Sequence, residues 1–308
     1  MGGIAVLSGG VGGARFLRGL VEVVEPGSVA VIGNVGDDVE VLGLHVSPDL
    51  DSILYALAGV ADEERGWGRA EETWQAMETV SELGGEDWFQ LGDRDLGLHL
   101  VRTQALRAGK PLSAVTARLA AALGVGVRLL PATDDRLRTW IDTPDGSFPF
   151  QEWFVARTHR DDVDRVRFEG EESAAPAPGA VDALAEAELI VIAPSNPFIS
   201  VWPILAVAEI RAALERRRVT CVAVSPIVGG RALKGPADRM LERLAGGTSP
   251  RRVATCYQGL IDTLVIDRAD ADGAEEVEAD GVRCVVADTV MSDAARRRAL
   301  AEAVLASS

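Results

Sequence analysis

Short, wholly apolar runs alternate along the chain with stretches in which apolar residues recur every three or four positions. The runs are GIAVL (3–7), VAVIGNV (29–35), VRLL (127–130), LIVIA (189–193), VTCVAVS (219–225), TLVID (263–267) and VRCVVAD (282–288). Runs of this length and uniformity suit buried strands of a parallel sheet. ARFLRGLVEVV, after the first run, and DAARRRALAEAVLA, at the end, carry helical spacing instead. The opening order of strand, glycine turn, helix and strand is that of a Rossmann-like unit. The expected class is therefore α/β: a Rossmann-like, doubly wound, mainly parallel sheet in one domain over residues 1–308.

Two interruptions are expected within that domain. Residues from about 66 to 124 read as a largely helical insertion, with Gly109 and Gly124 at C-cap positions. RTWIDTPDGSFPFQEWFV, at about 137–156, reads as two strands around a TPDGS turn. GEESAAPAPGA (170–180) is linker-like without marking a domain boundary. Ser47-Pro48-Asp49 should start a helix, with Ser at the N-cap and Pro at the first helical position.

Composition narrows the function classes. Apolar residues make up 47% and charged residues 25%, and no apolar run reaches the ~18–20 residues of a membrane span. The opening residues lack a basic segment, so no signal peptide is expected, and the reading is a cytoplasmic protein without a membrane partner. A formal net charge of −16 without a basic face argues against nucleic acid as a partner. Cys221, Cys256 and Cys284 are scattered and lack CxxC spacing, and His45, His99 and His159 show no ligand spacing. Neither a zinc site nor a disulfide framework is expected.

Four segments could carry chemistry. Ser8-Gly9-Gly10-Val11-Gly12-Gly13-Ala14-Arg15 places glycines at a strand-to-helix turn, where backbone N–H groups can approach a phosphate. Gly9, Gly10, Gly12 and Gly13 are the candidates, although the GxGxxG pattern is incomplete and no Walker lysine follows. A purely structural turn is the competing reading. Asp37, Asp38, Asp49 and Asp51 stand at a strand end and a helix start, where carboxylates can serve Mg²⁺ together with substrate phosphates. Helix-dipole complementation by Asp49 and Asp51, or a ribose contact by Asp37 or Asp38, competes with metal binding, and the pair is left open. Ser195, Asn196, Pro197 and Ser200 form a proline-fixed polar loop that suits a nucleotide, against capping of the next helix. Leu91-Gly92-Asp93-Arg94-Asp95 and Thr133-Asp134-Asp135-Arg136 place charges near turns, with helix capping as a full competitor in the former. Lys234, beside a Gly-Pro turn, is one of only two lysines.

As a set, GGVGGARFL (9–17), NVGDD (34–38), SPDLDSILYALAG (47–59), RGWG (65–68), LGDRDLGLHLVR (91–102), LLPATDDR (129–136), APSNPFIS (193–200), VSPIVGGRALKGPA (224–237) and ADTVM (287–291) resemble the 2-phospho-L-lactate transferase family. That family is known as CofD in archaea and FbiA in actinobacteria, and the similarity covers nearly the whole chain. The resemblance implies a Mg²⁺-dependent transferase of coenzyme F420 biosynthesis. A phospho-carboxylate, carrying lactate or enolpyruvate, would pass from a guanosine diphosphate-linked donor to the ribityl hydroxyl of the deazaflavin Fo, with release of GMP. The product would be F420-0 or dehydro-F420-0. It implies a homodimer, with Asp51, Gln90 and Arg94 toward Fo. The glycine loop, Ser195, Asn196, Pro197, Ser200 and Lys234 would lie toward the donor, and Asp38 and Asp51 at the centre of catalysis. A UDP-sugar-binding regulator on a similar fold is the first alternative, an NAD(P)-linked oxidoreductase the second. The GDDVEVLGLHVSPDLD and LGDRD stretches favour the transferase over the regulator.

Overall fold

Ile4–Ser8 and Val29–Gly33, from the first two apolar runs, are buried along their whole length in the computed structural model, which describes residues 3–308. From the N-terminus the chain runs through β1 (Ile4–Ser8), α1 (Gly10–Leu20), β2 (Val29–Gly33), a hairpin of β3 (Val39–Val41) and β4 (Leu44–Val46), and α2 (Pro48–Leu57). Then come α3 (Gln75–Glu82), α4 (Asp93–Arg107), α5 (Leu112–Ala122) and β5 (Arg128–Pro131). A small antiparallel sheet follows, from β6 (Arg138–Thr143), β7 (Gly146–Pro149) and β8 (Arg165–Glu169). The second half contains α6 (Ala180–Glu186), β9 (Leu189–Ile192), α7 (Trp202–Leu205), α8 (Ala208–Glu215) and β10 (Cys221–Val224). It closes with β11 (Ile227–Val228), β12 (Arg231–Ala232), α9 (Ala237–Ala245), α10 (Pro250–Cys256), β13 (Thr263–Asp267), α11 (Ala274–Ala279), β14 (Arg283–Ala287) and α12 (Ala294–Leu305).

Seven strands make the central sheet in the order β14-β13-β10-β9-β1-β2-β5, and every pairing is parallel. The α/β, doubly wound expectation is met. Chain order reverses between β1 and β9, so the loops leaving these neighbouring strands diverge to opposite sides. That divergence opens a crevice at the carboxyl edge of the sheet. Phe16, Leu17 and Leu20 of α1 and Ile53 and Leu54 of α2 are buried in the core that covers the sheet. Among the described residues no single helix is long and apolar enough to cross a membrane.

Two local features depart from the sequence reading. The run from Gly33 into α2 contains the β3–β4 hairpin, whose two-residue turn, Leu42-Gly43, has φ of 51° and 74°. Both residues are left-handed there, as the tight hairpin turn that matches strand twist requires. In the second feature, β6 and β7 pair around the TPDGS turn, but Glu152–Ala156 is a π-helical turn rather than strand. Phe150 and Trp153 are buried in the core at that spacing, and helical rather than extended backbone turns both inward.

Candidate functional site

The crevice brings three distant loops into contact. Asn34, just after β2, donates from Nδ2 to Asp49 Oδ2 (2.8 Å) and to the Ile199 carbonyl (3.0 Å), while its Oδ1 accepts from the Gly36 N–H (2.7 Å). Ser195 Oγ donates to the Gly9 carbonyl at 2.7 Å. Residues 8–15, 34–51 and 193–200 therefore meet at one edge, as expected for loops flanking a reversal in strand order. Asn34 is fully buried and acts as the hub of this junction.

The glycines owe their identity largely to protein neighbours. A Cβ on Gly12 would overlap the Pro194 carbonyl, and one on Gly13 would overlap Ser8 Oγ and Ser195 Oγ. Helix α1 thus lies directly against the 193–200 loop, an approach only glycine permits. Gly10 differs, since its φ of 69° is left-handed and its Cβ would meet only Ser200 Oγ at 3.4 Å. Gly9 is the N-cap and has no side chain to cap α1, while the Gly10 N–H at its first position meets the Asp49 carboxylate. The other first-turn N–H groups of α1 have no side-chain acceptor among the described residues, the setting in which helix N-termini bind anions.

The four candidate aspartates are all buried, yet their surroundings differ sharply. Asp38 Oδ2 accepts from Ser47 Oγ (3.0 Å) and lies 2.9 Å from His45 Nε2, contacts that the β3–β4 hairpin creates by folding residue 47 back onto residue 38. Asp38 Oδ1 and Asp37 Oδ1 are buried without any hydrogen-bond partner. Burial, and then the Asp49 carboxylate, push the Asp37 carboxyl well above the usual carboxylate range, against the pull of Asn34 and Thr139. Burial likewise raises Asp49 to about 6; Asn34 and the Gly10 N–H act the other way, and Asp38 and Asp51 add to the rise. Two orphaned oxygens among crowded acids form a site short of positive charge.

Asp51 is already compensated. Its carboxylate takes both guanidinium nitrogens of fully buried Arg102, Nη1 at 2.9 Å from Oδ2 and Nη2 on Oδ1, and the Ser47 N–H at 3.3 Å. Burial opposes the Arg102 charge, but the Asp51 pair outweighs it and raises the guanidinium further. His99 lies 3.8 Å from Asp51 and 3.2 Å from Asp95, whose carboxylate also accepts from Tyr55 Oη. Burial and the Asp51 and Asp95 charges raise the Tyr55 phenol, keeping it a donor. The Asp51 side chain is thus fixed in place by a bidentate ion pair.

LGDRD is built for a different task. Asp93 accepts from the N–H groups of Gln75 (3.2 Å) and Ala76 (3.1 Å), capping α3 rather than its own helix. Glu72 accepts from the N–H groups of Arg94 (2.8 Å) and Asp95 (2.9 Å), capping α4 in return. Arg94 is exposed and pairs with Glu71 at 3.2 Å; exposed Gln90 donates to the Asp87 carbonyl at 2.7 Å. Among the described residues no hydrogen bond or ion pair joins either to the aspartate group. Asn196 Oδ1 accepts from the Phe198 N–H (3.0 Å), and Pro197 occupies the first position of the π-helical turn Pro197–Val201, so this pair shapes the loop. Ser200 is buried beside Gly9 and Gly10. Exposed Lys234, beyond β12, comes to lie beside Gly66.

Asp37 and Asp38 line a cleft of about 210 Å³ whose other walls include Trp88, Arg136, Arg138, Trp140 and Gln151. Gln151 Nε2 also holds the Asp37 carbonyl at 3.1 Å. Burial lowers the Arg138 guanidinium, with nearby Asp38 opposing the shift. The cleft therefore pairs acids and arginines with two indoles. Asn34, Arg102, Arg138 and Gln151 were not singled out from sequence. Apart from Gly36, the partners of Asn34 lie 15 and 165 positions away, and that of Gln151 114 away, so no local pattern announces them.

The model of the family described as "2-phospho-L-lactate transferase CofD" matches residues 4–305. A protein of Streptomyces griseus subsp. griseus named phosphoenolpyruvate transferase is 44% identical, over 98% of this chain and 97% of its own. Proteins of the same name from Thermobifida fusca (42% identical, 98% and 96% covered) and Mycobacterium tuberculosis (42%, 88% and 90%) are also similar. Among solved structures, a Bacillus halodurans protein described as a member of the upf0052 family shares the fold, with a TM-score of 0.66 at 18% identity over 99% of this chain and all of that one.

Proposed function

This chain belongs to the 2-phospho-L-lactate transferase CofD family and is a transferase of F420 biosynthesis, and from that premise we propose the reaction it performs. The donor is a guanosine diphosphate carrying enolpyruvate on its distal phosphate, and the acceptor is the ribityl hydroxyl of Fo. Enolpyruvate rather than lactate is preferred because relatives at 42–44% identity carry the name phosphoenolpyruvate transferase. The acceptor oxygen bonds to the distal phosphorus, the bridging P–O bond breaks with its electron pair leaving on GMP, and the hydroxyl proton passes to solvent. The relatives do not favour the UDP-sugar-binding regulator.

The observation that carries the residue assignment is the pair of orphaned oxygens, Asp37 Oδ1 and Asp38 Oδ1, beside Asp49. Among the described residues no three His, Cys, Asp or Glu side chains form a complete metal cage. Mg²⁺ commonly takes one or two carboxylates and completes its shell with water and substrate phosphates, and Asp37 and Asp38 fit that open arrangement. Bound there, Mg²⁺ would neutralise charge building on the phosphoryl oxygens. The first turn of α1 holds the diphosphate, and Asp51, fixed by Arg102, orients the acceptor hydroxyl. Trp88 and Trp140 offer apolar faces to the deazaflavin ring. Alignment and charge neutralisation suffice for displacement at phosphorus, so the site needs no nucleophilic side chain.

The test is direct. Protein, Mg²⁺ and Fo are incubated with the enolpyruvyl or the lactyl guanosine diphosphate donor, and products are identified by mass. Dehydro-F420-0 with equimolar GMP is expected. Failure to release GMP from either donor, with a melting shift on UDP-sugar alone, would overturn the reading.

A further inference from the structure

A ring of polar side chains closes between α2 and α4 behind Asp51. Asp51 and Tyr55 stand one turn apart on α2, and Asp95, His99 and Arg102 follow one another by single turns along α4, so each set shares a helix face. Arg102 Nη1 donates to Asp51 Oδ2 at 2.9 Å and lies 3.3 Å from His99 Nδ1. His99 Nε2 lies 3.2 Å from Asp95 Oδ1, which also takes the Tyr55 hydroxyl and so returns the ring to α2. Asp95 is held from outside the ring as well, because Glu72 accepts from its backbone N–H at 2.9 Å.

These contacts determine where the imidazole proton sits. A guanidinium can only donate, so His99 Nδ1 beside it is the bare, accepting nitrogen, and the ring proton is on Nε2, toward Asp95. Burial opposes the Asp95 charge, but His99 and Tyr55 outweigh it and hold the carboxyl below the usual range. Tyr55, His99 and Arg102 are all buried. A latch meant only to join two helices would be as strong with apolar side chains, because the desolvation of a buried ion pair offsets most of its attraction. This ring also leaves two buried nitrogens without hydrogen-bond partners, Arg102 Nε and His99 Nε2, whose approach to Asp95 is off the line of a hydrogen bond. What the ring secures is the carboxylate at its end, Asp51 at the crevice.

We propose that His99 is a positioning residue for the transfer: as the neutral Nε2–H tautomer, aimed by Asp95 and Tyr55, it accepts from Arg102 and so sets the guanidinium that orients Asp51 toward the acceptor hydroxyl. This rests on the transferase reading above and goes beyond it, because it gives Tyr55, Asp95 and His99 a part in the reaction without contact with either substrate. A carboxylate that must aim a hydroxyl in line with a phosphorus gains from each torsion its neighbours remove.

Steady-state GMP release with Fo, Mg²⁺ and the enolpyruvyl or lactyl guanosine diphosphate donor tests it in wild type, His99→Leu and His99→Asn. Leucine fills the space but cannot accept from Arg102, so kcat should fall on the order of a hundredfold, with both KM values within about threefold of wild type. Asparagine offers an amide oxygen near the place of Nδ1 and should return kcat to within about tenfold of wild type. A His99→Leu protein with wild-type kcat, or a His99→Asn protein as impaired as His99→Leu, would assign His99 to the scaffold and overturn the proposal. Nitrogen-15 shifts of histidine-labelled wild type decide the matter even where a variant does not fold: His99 should carry its proton on Nε2 alone, and a proton on Nδ1 overturns the ring. Absence of transfer by wild type from either donor overturns the transferase reading, and the positioning role falls with it; an active wild type with an equally active His99→Leu overturns the positioning role alone.

Discussion

Two acidic regions that look alike in sequence have opposite fates. GDD and SPDLD (36–38 and 47–51) and LGDRD (91–95) all set aspartates close to helix starts or turns. In the first region the chain doubles back through the β3–β4 hairpin and buries four carboxylates, leaving oxygens of Asp37 and Asp38 without partners. In the second, Asp93 spends its acceptors on the N–H groups of α3, and the Thr73 hydroxyl and those N–H groups hold its carboxyl below the usual range. Asp93, so satisfied, is architecture. A buried unsatisfied acid is a demand that a ligand can meet, and that difference separates site from scaffold.

The widest expected contrast is in turnover. Asp37→Asn should lower transfer on the order of 10²–10³-fold while leaving the ligand-free protein as stable as wild type or more so, because a repelled buried charge is removed. Steady-state GMP release alongside thermal melting checks both halves. A variant that melts well below wild type would place Asp37 in the scaffold with Asp93.

A smaller effect concerns pH. The Asp49 carboxyl titrates at about 6 in the folded chain against 3.8 for the free group. The native state therefore binds more protons than the unfolded one between those values, so stability falls as pH rises through that window. The loss from this one group is on the order of 3 kcal/mol at most. Denaturant unfolding of metal-free protein from pH 4 to 7 should show the slope, Asp49→Asn should flatten it, and Mg²⁺ should restore stability above pH 6. A wild-type profile identical to that of Asp49→Asn would remove Asp49 from the strained group.

The smallest expected effect lies in the second region. Asp93→Ala removes a helix cap and should lower the melting temperature by about 2–4 °C, with turnover within a few fold of wild type. A large loss of turnover at unchanged melting temperature would turn the comparison around and give LGDRD a direct part in the chemistry.

The sequence by itself determined the class of fold and where to look. Uniformly apolar runs such as 4–7 and 189–192 suit cover on both faces, as in a parallel sheet. Loops at the ends of those strands must then hold the site. What the sequence could not order was the competition among like side chains. Asp51 looks as free as Asp37 until Arg102, 51 positions later, closes on it. Asn34 looks like any turn residue until Asp49 and Ile199 meet at its amide. The glycines of 9–13 fit a phosphate cradle or a structural turn equally until Pro194 and Ser195 are packed against Gly12 and Gly13. Charge pairing and close packing act through space rather than along the chain. Only the tertiary structure decides which carboxylate is spent on the fold and which is left over for a ligand.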